Sequence, residues 1–139
     1  MEGGIFVGVV LRGEAGSGMV SISGLMEDIK SGYARSVGVL DGKLYVVGGH
    51  EGPNVRRSAE VYNPDTKQWT AIADMGTCRR NAGVVSLNGL LYVVGGENVG
   101  ANPVESTVEI YNPHTDTWSL LPSQMSVGRS YVGVAIIDR

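Results

Sequence analysis

The hexapeptide Leu44-Tyr45-Val46-Val47-Gly48-Gly49 returns unchanged as Leu91-Tyr92-Val93-Val94-Gly95-Gly96, 47 residues further on. One apolar run ending in paired glycines is an ordinary buried strand. The same run recurring at that distance means a unit of structure laid down twice, and the other landmarks of the chain recur in the same order.

Each copy opens as a hairpin. Val37-Gly38-Val39-Leu40, Asp41-Gly42 and Leu44–Val47 read as strand, two-residue turn, strand; Gly83–Leu87, Asn88-Gly89 and Leu91–Val94 repeat the pattern. Asp-Gly and Asn-Gly tolerate the positive φ angles of a type I′ turn. The strands are apolar at nearly every position, which predicts cover on both faces, as in stacked sheets. A polar loop follows each glycine pair, His50–Arg57 and Glu97–Glu105, with Pro53 and Pro103 inside them. A third strand, Ala59–Tyr62 or Val108–Tyr111, runs into an Asn-Pro turn. A fourth carries the tryptophan, Gln68–Ile72 or Thr117–Leu121. Tyr62 precedes Trp69 by seven residues, as Tyr111 precedes Trp118, so each tyrosine is expected beside its tryptophan across the turn.

Composition agrees with an all-β chain. Glycine takes 21 of 139 positions, about twice the usual share, without the period of a collagen. Hydrophobic residues at 42% are enough for a core. A net charge of −3 gathers neither nucleic acid nor an anionic membrane, and no run is long enough to span a bilayer. Cys78 is the single cysteine, so no intrachain disulfide forms and a cytoplasmic location is expected. Glu2 ahead of the apolar run Ile5–Leu11 argues against a secretory signal.

Four strands in about fifty residues, with Gly-Gly, Tyr and Trp in fixed order, resemble the kelch repeat, one blade of a β-propeller. Cys78–Val84 with Asn88–Gly96 is similar to the penultimate blades of the kelch-like proteins, and Gly128-Arg129-Ser130-Tyr131 to their ring-closing strand. The resemblance implies an all-β, kelch-type β-propeller fragment of about two four-stranded blades plus one closing strand. Residues 34–78 and 79–127 would be repeats and 128–139 the first strand of a further one. Residues 1–33 would be a non-matching glycine-rich leader, poorly ordered. Members of the family dock on a cullin through BTB and BACK domains, which this sequence lacks, and select a protein for ubiquitination with a six-bladed propeller; some associate with actin. The resemblance therefore implies a protein-interaction module, the substrate-recognition part of a cullin-RING ubiquitin ligase adaptor. An actin or cytoskeletal kelch scaffold, or a fragment of a kelch-type propeller enzyme, are its alternatives. Two blades do not close a ring, so the chain is expected to need further blades or other copies for stability.

In the family the binding surface uses inter-blade segments and the loops after the second strand. Carried onto this chain, these are Arg79, Arg80 and Asn81, then Arg129, Ser130 and Tyr131. The loops add His50, Glu51, Asn54, Arg56 and Arg57, then Glu97, Asn98 and Asn102. Arginines there suit the carboxylates of an acidic peptide. The competing reading is one structural arginine per blade, paired with Glu60 or Glu109. No catalytic set is expected: His50-Glu51 and His114 lack a third ligand at metal spacing, no phosphate loop follows the glycines, and Cys78 has no histidine base. Neither an enzyme nor a cofactor is expected.

Overall fold

The computed structural model describes residues 34–100, 103–130 and 134. The leader 1–33 and most of the expected closing strand lie outside the described residues. Nine strands follow in chain order: β1 (Ala34–Leu40), β2 (Lys43–Glu51), β3 (Asn54–Val55), β4 (Ala59–Asn63), β5 (Gln68–Ile72), β6 (Gly83–Leu87), β7 (Leu90–Val94), β8 (Val108–Asn112) and β9 (Thr117–Leu120). They make two antiparallel sheets, ordered β1-β2-β4-β5 and β6-β7-β8-β9, with β3 paired to the end of β2. Each of the two sheets is one of the expected four-stranded units.

The turn chemistry is as the dipeptides require. Asp41 and Gly42 have φ of 49° and 71°, Asn88 and Gly89 of 51° and 76°. Positive values at both central residues match the right-handed strand twist, so Leu40 pairs with Lys43 and Leu87 with Leu90. In the later turns Asn63 Oδ1 accepts from the Asp65 amide at 2.9 Å and Asn112 Oδ1 from the His114 amide at 3.0 Å. Tyr62 is opposite Trp69 and Tyr111 opposite Trp118, with ring centroids 5.1 and 4.9 Å apart.

One element differs from expectation. The loop after Gly49 contains a small hairpin, with Glu51 opposite Asn54 and His50 opposite Val55. Polar residues on both strands hide such a ladder from a hydrophobic pattern.

The sheets stack, with β1 beside β6. Leu40, Tyr45, Val47 and Ala59 of the first sheet, Met75 of the connection, and Leu91, Val93 and Tyr111 of the second form one core. Leu44 to Gly49 are buried without interruption, so β2 is covered on both faces as expected. β7 is not: Leu91 and Val93 are buried, while Leu90, Tyr92 and Val94 are half-buried. The difference is positional, since among the described residues no third sheet covers the outer face of the second.

Two contacts close the sheets at their rim. Trp118 Nε1 donates to the Ala73 carbonyl at 2.7 Å, and Asp116 Oδ1 accepts both the Ala73 amide and the Tyr111 hydroxyl at 2.9 Å. Burial first, then the hydrogen bond to Asp116, raises the Tyr111 phenol above its ordinary range, and burial also raises Tyr45. The same bonds, led by the Ala73 amide, lower Asp116. A raised phenol keeps its stabilisation below the unfolded pKa of about 10 and loses it as pH rises further. Asp116 acts at the other end, losing its contribution as pH falls through its lowered folded value. Urea midpoints should therefore fall above about pH 10, and Tyr111→Phe should flatten that fall. An alkaline limb unchanged in Tyr111→Phe would show that other groups carry it.

Candidate interaction surface

The residues expected to bind a partner lie on segments that backbone hydrogen bonds stitch into one row. Gly49 N donates to Arg79 O at 2.7 Å, Arg79 N to Arg56 O at 3.0 Å, and Arg56 N to Gly49 O at 2.8 Å. Arg80 and Glu97 exchange amide–carbonyl bonds of 2.9 and 2.8 Å. Gly96 N then donates to Arg129 O at 2.8 Å and Arg129 N to Glu105 O at 3.0 Å. The loop after β2, the inter-sheet segment, the loop after β7 and the segment at Arg129 thus form a continuous polar edge. Two chain-distant loops become neighbours because each glycine pair accepts the next segment against its bare backbone.

Arg79 does not belong to the exposed part of that edge, which corrects the expectation that it meets a partner. Its side chain is 0% exposed. Nε donates to Glu109 Oε2 at 2.9 Å, and the terminal nitrogens to the carbonyls of Gly95 and Thr107 and to Thr107 Oγ1. Glu109 is filled on its other oxygen by the Gly76 amide at 2.6 Å. The structural alternative, an arginine paired with Glu109, is what the fold contains.

The first sheet solves the same problem differently. Glu60 stands where Glu109 stands, and its partner is Arg35 at 2.8 Å, from within β1 rather than from a segment before it. Arg35 also donates to Gly48 O and Ser58 O, as Arg79 does to Gly95 O and Thr107 O. Sequence reasoning passed over Arg35. The available signal was Glu60, a carboxylate in the position of Glu109 and in need of a cation.

The remaining candidates reach the surface. Arg80 is half-buried and bonds Glu97 at 2.9 Å, tying the inter-sheet segment to the loop after β7 by side chain as well as backbone. Asn81 is half-buried with φ of 56°. Arg56 is exposed and pairs with Glu51 at 2.7 Å; Arg57 faces Asp74 at 3.7 Å. His50 is half-buried with Nδ1 3.2 Å from Gly52 O, and Asn54 is exposed. The Asn98 carboxamide is turned inward to the Val99 amide at 2.8 Å. Arg129 is exposed and Ser130 half-buried. Tyr131 and Asn102 lie outside the described residues. Cys78 is a half-buried free thiol, and both neighbouring guanidinium groups are engaged by carboxylates instead. Among the described residues no group of three His, Cys, Asp or Glu side chains is placed to hold a metal ion, and no helix is long and apolar enough to cross a membrane.

With the paired sheets and the glycine-clamped edge in place, the class follows: two blades of a β-propeller. The kelch motif matches residues 31–76 and 78–125, more than half of the chain, and the chain belongs to the kelch family. It is 42% identical to human kelch-like protein 28 over 72 residues, which is 46% of this chain and 13% of that protein. It is 33% identical to mouse kelch-like protein 35 over 110 residues, 78% of this chain and 19% of that one. The human influenza virus NS1A-binding protein is 42% identical over 69 residues, 48% of this chain and 11% of that protein. The chain thus spans under a fifth of these relatives' length. Among solved structures it resembles YjhT, with a TM-score of 0.59 and 24% identity over 70% of this chain and 29% of that one. A fungal alcohol oxidase in complex with copper gives 0.54 at 21% identity, covering 66% and 19%. Likeness at those identities shows the propeller fold alone.

Proposed function

We propose that this chain is a protein-interaction module of the kind that kelch-like proteins use to recognise a substrate for a cullin-RING ubiquitin ligase. In this reading the polar edge from His50 to Ser130 is the recognition surface. The observation that carries it is the stitching of four loops into one rigid row, which fixes Arg80, Asn81, Arg56 and Arg129 relative to one another. Preorganised side chains lose little entropy on binding a partner. Arg129 is the exposed guanidinium without a side-chain partner among the described residues, and Arg80 shares its charge with Glu97. An acidic peptide is the matching ligand, since its carboxylates complete Arg129 and exchange with Glu97 at Arg80. Cullin engagement would come from BTB and BACK domains outside this sequence, in the cytoplasm, where Cys78 stays reduced.

The test is a panel of Asp/Glu-rich peptides against their Asn/Gln counterparts, read by fluorescence anisotropy with the full chain. Acidic peptides should bind at least tenfold more tightly, and Arg80→Ala with Arg129→Ala should remove that preference, about 1.4 kcal/mol or more. Equal binding of both peptide sets, or a preference that survives both substitutions, would rule the surface out.

A further inference from the structure

The contact between the two sheets of this chain has a set of counterparts on its two open faces, and those counterparts fit each other. Inside the chain the contact consists of Tyr45 against Tyr111, with centroids 5.8 Å apart, Trp118 Nε1 donating to Ala73 O, the Gly76 amide on Glu109, and Arg79 entering beside that carboxylate. By the repeat, the outer face of the second sheet carries Tyr92 in the place of Tyr45, Pro122 in that of Ala73, Ser126 in that of Gly76 and Arg129 in that of Arg79. The open face of the first sheet carries Tyr62 for Tyr111, Trp69 for Trp118 and Glu60 for Glu109.

Each of these counterparts is in the state of a group whose neighbour is missing. Among the described residues Trp69 Nε1 is the one buried side-chain nitrogen or oxygen with no hydrogen-bond partner, where Trp118 has the Ala73 carbonyl. The Glu60 side chain is 44% exposed against 2% for Glu109. Tyr62 and Tyr92 are half-buried, whereas Tyr45 and Tyr111 are buried. Arg129 is exposed, whereas Arg79 is enclosed.

One pair of differences between the repeats speaks for the partner. Within the chain Asp116 accepts the Ala73 amide. The outer face has Pro122 there, which offers no N–H, and the open face has Lys67 in the place of Asp116, which offers no acceptor. Donor and acceptor are lost together, so the two faces still meet without an orphaned group, and both faces are on this chain.

We propose that the outer face of the second sheet docks on the open face of the first sheet of a second copy of this chain. The contact repeats the intramolecular one, with Trp69 Nε1 donating to Pro122 O, Tyr92 on Tyr62, and Arg129 and the Ser126 amide at Glu60. It joins unlike surfaces, so it leaves one open face at each end for a further copy. It uses the sheet faces and not the loop edge, so it stands apart from peptide recognition.

Cysteine cross-linking of the full chain, with Cys78→Ser as background, tests this. Lys67 and Pro122 are exposed, so Lys67→Cys and Pro122→Cys leave the core intact. Ala73→Cys with Asp116→Cys, the equivalent pair inside one chain, calibrates the geometry. Mixing the Lys67→Cys and Pro122→Cys chains at micromolar concentration under mild oxidation should give a disulfide-linked heterodimer, at least tenfold more than either chain alone. Trp69→Phe with Arg129→Glu should reduce it at least fivefold, and the unsubstituted chain should sediment above its 14.7 kDa monomer mass. A monomer at all concentrations would overturn the proposal, as it would if residues 1–33 or a different protein occupied the face. Equal cross-linking in the single and mixed samples would overturn it too.

Discussion

Replacing Arg79 with alanine is expected to cost the chain about 3–5 kcal/mol, because it leaves the buried carboxylate of Glu109 without its counter-charge. Glu109 is 1% exposed, so water does not compensate it. The Gly95 and Thr107 carbonyls lose donors in the same step. A domain has about 5–15 kcal/mol in total, so most of it goes with one side chain. In urea the midpoint should drop by about 1–3 M at a slope near 1–3 kcal/mol per M. Arg56→Ala breaks an exposed pair of similar length, 2.7 Å, and should change stability by about 1 kcal/mol at most. Removing both partners, Arg79→Met with Glu109→Leu, should recover part of the loss, since no unpaired charge remains. A midpoint for Arg79→Ala close to that of Arg56→Ala would mean that Glu109 is neutralised some other way.

That an arginine would open each blade was legible in the sequence; which arginine, and which way it points, was not. Arg79 and Arg80 are adjacent in a segment without strand or helix periodicity, so residue spacing says nothing about facing. What decides is the Arg79 carbonyl, held on the Gly49 amide, which turns the guanidinium inward to Glu109 and leaves Arg80 to Glu97 at the rim. Arg35 was harder still, because it takes the role from within a strand.

The strands themselves were read almost to the residue because their signals are local. Asp41-Gly42 and Asn88-Gly89 fix register through two torsions each, and Tyr62-Trp69 and Tyr111-Trp118 fix the second pairing. The short β3 was missed, and so was the half-exposed face of β7. The first is a polar hairpin whose stabilisation lies in the backbone, the second an apolar strand whose burial depends on a neighbouring sheet. In both cases the missing information is a tertiary contact, which a window of sequence does not contain.

Gly48→Ala should be the next most damaging single change, for a reason separate from charge. Gly48 has φ of 58°, a left-handed value that costs an alanine about 1 kcal/mol. The added methyl would also run into the Arg79 carbonyl and crowd Met75, which is 1% exposed. Neither neighbour can yield cheaply. The carbonyl accepts the Gly49 amide at 2.7 Å, and moving it displaces Arg79 from Glu109. Overpacking of this kind adds about 1–3 kcal/mol, for a total near 2–4 kcal/mol. Gly42→Ala isolates the torsional part, since Gly42 has φ of 71° with nothing within 4 Å of the new methyl, and it should cost only about 1 kcal/mol. The comparison is a pair of urea titrations followed by tryptophan fluorescence. If Gly48→Ala and Gly42→Ala lose equal stability, the clamp of the inter-sheet segment on the glycine pair is not tight, and the row of loops it holds is not rigid.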